Sequence, residues 1–110
     1  MYNRKLYEKS ISYFDQSLKT IEKEPENYNI LERKIEFNVN AAQSYLYLNN
    51  SAKAKKYLRS AEAIIRRYPH NPLEVFFYLV NAKYFQLNRD YENSLRYLNK
   101  GLEAPAITPQ

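Results

Sequence analysis

The sequence predicts an all-α protein, a solenoid of about five helices packed as antiparallel pairs. Three observations predict it. Apolar residues recur at every third or fourth position between short clusters of turn-forming residues, which is the helical period. A single glycine in 110 residues argues against a turn-rich β protein. The phrase YEKSISYFDQSL at residues 7–18 returns as YENSLRYLNKGL at residues 91–102. Periods of roughly 20–50 residues built from helix pairs mark helical solenoids.

The elements follow in order. The first helix is expected over residues 5–23, ahead of Pro25, and a second, more apolar one over 26–49, closed by the turn YLNNSAK. A third is expected over 51–67, before Pro69. Asn71-Pro72-Leu73-Glu74 offers an Asn cap, a proline at the first helical position and a Glu three residues after the cap, so the fourth helix is expected over 72–88. The fifth is expected over 90–103, after the turn QLNRDYE. The tail APAITPQ, residues 104–110, holds two prolines and is expected to fray. A chain of this length forms one domain, expected over 1–103 as a single cooperative unit. Within it lie an incomplete first repeat at 1–24, a second at 25–69 and a third at 70–103.

Composition bounds the chemistry. Hydrophobic residues make up 45% and charged residues 26%, a globular rather than disordered balance. Without cysteine there is no disulfide framework, no thiol chemistry and no Cys-ligated zinc. The opening MYNRKLYEKS has no apolar signal-peptide run, and no stretch approaches the roughly 20 apolar residues of a membrane span, so a cytoplasmic protein is expected. The net charge of +5 favours acidic partners, nucleic acid included, but also lies in the ordinary solubility range of a small domain.

A third copy of the repeated phrase lies between the other two. In SAKAKKYLRSAE, residues 51–62, Ala54 and Ala61 flank Leu58 as Ser10 and Ser17 flank Phe14, and as Ser94 and Gly101 flank Leu98. Small, large, small at i, i+4 and i+7 lets one side of a helix lie close to a neighbour around a single bulky knob. The intervening helices repeat as well, since Ala42 and Tyr45 stand 40 residues before Ala82 and Phe85.

On these residues the chain resembles the tetratricopeptide repeat family. Ala42, Tyr45, Ala54, Leu58 and Ala61 match one repeat, Ala82, Phe85, Ser94, Leu98 and Gly101 the next, and Tyr7, Ser10, Phe14 and Ser17 the second helix of an incomplete first repeat. The resemblance implies a right-handed α-solenoid that binds protein or peptide. Two departures stand out: alanine replaces the family's first-helix glycine at Ala42 and Ala82, and the repeats exceed the usual length of about 34 residues. Repeats near 40 residues are similar to the peptide-sensing domains of bacterial quorum-sensing regulators of the Rgg, PlcR and Rap type. That similarity implies the sensing or oligomerising part of a transcriptional regulator, whose DNA-binding domain would lie upstream. A solenoid that opens on a second helix lacks the helix that should cover it, so the chain reads as a fragment or as something completed by a partner.

The candidate site comes from helix angles at about 100° per residue. In the second helix Glu32, Glu36, Asn40, Gln43 and Tyr47 fall in a stripe roughly 80° wide. Tyr28, Ile30, Leu31, Ile35, Phe37, Val39, Ala41, Ala42, Tyr45, Leu46 and Leu48 fill most of the remaining circumference, so the stripe should face a concave groove. Forty residues on, the equivalent stripe is Pro72, Phe76, Val80, Lys83 and Leu87, mostly apolar where solvent is expected. Apolar surface left wet costs about 25 cal/mol per Å², so a cover is expected. One reading is a peptide or partner groove made by Glu36, Asn40, Gln43, Tyr47, Phe76, Val80, Lys83 and Leu87. In it the amides of Asn40 and Gln43 bond an extended backbone, Lys83 meets a carboxylate, and the apolar positions hold side chains. The alternative is a homo-oligomeric scaffold, a homodimer for example, with the Phe76 and Val80 stripe buried between protomers.

No catalytic, cofactor or metal site is expected. The one histidine, His70, lies between Pro69 and Pro72 in a loop with no cysteine to activate. Glu32 and Glu36 are one turn apart without a histidine to join them, and with Gly101 the only glycine there is no phosphate loop. A basic third helix carrying Lys53, Lys55, Lys56, Arg59, Arg66 and Arg67, with Tyr57 and Tyr68 to stack on bases, is the remaining option. Glu62 interrupts that patch, and Lys and Arg are ordinary on a solvated helix face, so direct nucleic-acid binding ranks below protein or peptide binding.

Overall fold

The computed structural model describes residues 3–103, and every regular element in them is an α-helix. There are five: α1 (Arg4–Glu22), α2 (Tyr28–Tyr47), α3 (Ser51–Arg67), α4 (Glu74–Leu87) and α5 (Tyr91–Glu103). The tail at 104–110 lies outside the described residues. No described helix is long and apolar enough to cross a membrane.

Side-chain caps set where the helices begin. The Oδ1 atoms of Asn3, Asn27, Asn50 and Asp90 accept from the backbone N–H three residues on, each satisfying a donor that the first turn leaves without a partner. Helix α4 departs from this pattern. Asn71 does bind the chain ahead of it, its Oδ1 accepting from Leu73 N–H at 2.9 Å, but Pro72 and Leu73 form a turn and the helix starts only at Glu74. The Glu74 carboxylate accepts the Tyr78 hydroxyl at 2.9 Å, so the expected capping box is not made through this group.

The two tight corners repeat in atomic detail. After α2, Asn49 N–H donates to the Leu46 carbonyl and Asn50 N–H to that of Tyr45, with Asn49 left-handed at φ 58. After α4, Arg89 N–H donates to Gln86 and Asp90 N–H to Phe85, with Arg89 at φ 62. Both are Schellman closures, in which the last carbonyls of a helix are satisfied by a reversal through one left-handed residue. Asn50 and Asp90 end one helix and cap the next, so each corner needs only three residues.

Each helix packs on the one before it, and α2 also meets α4. The core runs through Ile35, Val39, Ala42 and Leu46 of α2, Ala54, Leu58, Ala61, Ile64 and Ile65 of α3, and Phe77 and Val80 of α4. Of the apolar circumference expected for α2, Ile35, Val39, Ala41, Ala42 and Leu46 are buried, whereas Tyr28 is exposed. Tyr28 is the first residue of the helix and stacks its ring on Tyr68 at 4.8 Å. Small residues lie where the repeated phrase places them: Ala54 and Ala61 are fully buried, and the buried Ser94 hydroxyl donates to the Ala82 carbonyl at 2.9 Å across the α4/α5 contact. Two aromatic stacks join consecutive helices, Tyr45 of α2 on Tyr57 of α3 at 5.6 Å and Phe85 of α4 on Tyr97 of α5 at 5.5 Å, again 40 residues apart.

Candidate functional site

Helices α2 and α4 leave a groove between the C-terminal half of α2 and most of the length of α4. It has a volume of about 580 Å³ and is lined by Gln43, Leu46, Tyr47 and Asn49 on one side and by Phe76, Leu79, Val80, Lys83 and Leu87 on the other. The corner after α2 closes one end. There the Asn88 amide donates to the Tyr84 carbonyl at 2.7 Å and reaches Ser51 Oγ at 3.4 Å, tying the end of α4 to the start of α3.

Six residues of the two expected stripes meet here: Gln43, Tyr47, Phe76, Val80, Lys83 and Leu87. Val80 is only 4% exposed and belongs to the core, so it forms the floor rather than an open line. Phe76 is half-buried beside it, and Leu87 and Tyr47 stand at the rim. The Tyr47 ring is held by stacking on Tyr7 of α1 at 4.8 Å and 15°. Lys83 is exposed, with no carboxylate within ion-pair distance among the described residues.

Two expected members lie outside the groove. Glu36 and Asn40 sit one to two turns earlier on α2, Glu36 exposed and Asn40 half-buried. The Asn40 amide donates to the Glu36 carbonyl at 2.9 Å, so this donor is spent on its own helix. Conversely Leu46, Asn49 and Leu79 line the groove without having been expected there. Leu79 stands 40 residues after Val39, which is fully buried, and that equivalence hid its exposure. Asn49 enters because its left-handed backbone turns the chain back over the groove's end.

A second cleft, among α1, α2 and α3, is lined by Asp15, Lys19, Glu22, Lys34, Asn38 and Lys56 among others. The Tyr57 hydroxyl donates to the Asp15 carboxylate there, joining α3 to α1. Burial first, then the hydrogen bond to Asp15 and then the Asp15 charge push the Tyr57 phenol far above its ordinary value. Tyr57 is thus committed to Tyr45 and Asp15, and Tyr68 to Tyr28 and, through a 3.0 Å bond, to the Glu32 carboxylate. In each ring one face is stacked on another tyrosine and the hydroxyl is bonded to a carboxylate, which disfavours stacking on a base. Arg66 pairs with Glu62 at 3.6 Å and Arg67 with Glu26 at 3.3 Å, which leaves Lys53, Lys55, Lys56 and Arg59 as the cations of α3 without an ion pair among the described residues. Arg67, foremost through its hydrogen bonds, holds the Glu26 carboxyl below its ordinary value.

His70 is exposed in a left-handed conformation, φ 60, at the turn before α4. The described residues contain no group of three or more His, Cys, Asp or Glu placed to hold a metal. Comparison with protein-family models, with curated proteins and with solved structures finds no match for this chain.

Proposed function

We propose that the chain is a non-catalytic protein- or peptide-binding module of tetratricopeptide type, a right-handed α-solenoid whose ligand lies in the α2/α4 groove. The observation that carries this reading is Lys83, a cation without an ion pair among the described residues, beside the apolar floor of Phe76 and Val80. An apolar trough with a few convergent polar groups suits a ligand with apolar side chains and one anionic group. Gln43 and Asn49 supply amides that can donate to and accept from a peptide backbone. The identical corners and the twin aromatic stacks, all 40 residues apart, support the solenoid. In this reading the chain is the sensing part of a larger regulator and meets nucleic acid only through other domains.

The test is thermal unfolding in the presence of short apolar peptides, each with a free or an amidated C-terminus. A binder at about 100 times its dissociation constant raises stability by roughly 2.7 kcal/mol. The free-acid peptides are expected to shift the melting temperature more than the amides, and Phe76→Ala with Lys83→Ala is expected to remove the shift. Peptide binding that survives this double change would place the ligand elsewhere.

A further inference from the structure

The internal repeat provides a control for every surface of the last helix pair. Moving back 40 residues takes Val75 to Ile35, Leu79 to Val39 and Leu98 to Leu58. In the α2/α3 pair these three are 0%, 0% and 3% exposed and sit in the core that α4 completes. In the α4/α5 pair they are 37%, 49% and 40% exposed. Leu79 Cδ2 lies 3.9 Å from where a Cβ on Gly101 would stand, so the α4 and α5 parts adjoin as one patch.

A further repeat stacked in register is one cover, but the residues around Leu98 argue against it. Where α3 meets α4 and α5, Leu58 is surrounded by Lys55, Arg59 and Glu62, a charged rim on a shallow cleft. At the same positions α5 carries Leu95, Asn99 and Leu102, with Leu95 60% and Leu102 84% exposed. Three charges have become two leucines and an amide. A stacked repeat uses that rim wet, whereas this one is built to be dry.

We propose that the α4/α5 face is the interface of a twofold homodimer, centred on an antiparallel crossing of α5 with its copy. The spacing of Leu95, Leu98 and Leu102, three residues and then four, reads four and then three in reverse. An antiparallel copy therefore sets leucines among leucines, the self-complementary pattern an isologous contact needs. The uncharged patch also lets two chains of net charge +5 meet without opposing like charges. This surface is distinct from the groove except at Leu79, which borders both.

The experiment is sedimentation equilibrium of the full chain from micromolar to near-millimolar concentration, with helical content followed by circular dichroism. The expected mass is twice 13.2 kDa at the upper end. Leu95→Lys with Leu102→Glu, which copies Lys55 and Glu62 of α3, is expected to weaken association by at least about a hundredfold. Both sites are already exposed, so helical content is expected to be unchanged. Phe76→Ala with Lys83→Ala is expected to leave the dimer intact. A monomer at every concentration overturns the proposal, with residues 104–110 or another protein left as the cover. A dimer that survives the α5 pair, or dissolves with the groove pair instead, overturns it equally.

Discussion

Two single residues close the tight corners between helices, Asn49 and Arg89, each the left-handed residue of a three-residue corner. Asparagine tolerates that conformation, whereas an arginine there sets its Cβ against the carbonyl oxygen. Arg89 makes no ion pair among the described residues to offset this. Arg89→Gly is therefore expected to stabilise the chain by about 0.5–1 kcal/mol, and Asn49→Gly by less. Thermal unfolding checks both, and an Arg89→Gly chain that melts no higher than the parent would remove the strain argument. The turns themselves were legible as LNN and LNR, because clusters of Asn and charged residues interrupt the apolar period. Their handedness was not, since Arg89 has no intrinsic preference for it. The same limit applies to Asn40: its place on the stripe was readable, but not that its amide would donate to Glu36.

At the scale of elements, hydrophobic period and punctuation made all five helices legible, with no end displaced by more than two residues. Proline suits a first turn, so the sequence places Pro72 and Leu73 in the helix, yet Asn71 accepts from Leu73 N–H and holds them in a turn instead. The small, large, small phrase was legible too, but equal positions in it are not equally crowded. Ala61 is fully buried between helices, while a Cβ on Gly101 would meet Tyr78 Cβ at 3.8 Å and Leu79 Cδ2 at 3.9 Å, ordinary contact. Gly101→Ala is accordingly expected to stabilise α5 by up to about 1 kcal/mol, through helix propensity alone. Ala61→Leu is expected to cost about 1–3 kcal/mol by overpacking. Chemical denaturation of the two variants separates them, and an equal response would mean that α5 packs as closely as α3. The groove was partly legible for the same reason: of the stripes related by a 40-residue shift, Gln43 and Tyr47 of α2 meet Phe76, Val80, Lys83 and Leu87 of α4, but the shift could not foresee which equivalents lose their cover beside the last helix.

For the whole molecule, chain length suggests one cooperative unit, but burial is distributed unevenly. Helix α2 holds seven buried residues and α3 five, whereas α1 holds only Ile11 and α5 only Ser94. In a stack of helices each element is held by its neighbours, so the ends should open first and at lower free energy than the centre. Native-state hydrogen exchange is expected to order the amides accordingly, with α2 and α3 protected to the level of global unfolding and α1 and α5 well below it. The two ends should then differ in a second respect. Helix α1 is secured by α2 and by the Tyr57 to Asp15 bond, both within one chain, so its protection is independent of concentration. Helix α5 gains a partner on dimerisation, so its protection rises as protein concentration rises and falls back when Leu95 and Leu102 carry charges. Uniform protection across all five helices would mean that the chain unfolds as one body despite its thin ends. Concentration-dependent protection appearing in α1 rather than α5 would move the dimer contact to the opposite end of the array, where Leu6 and Tyr13 are exposed.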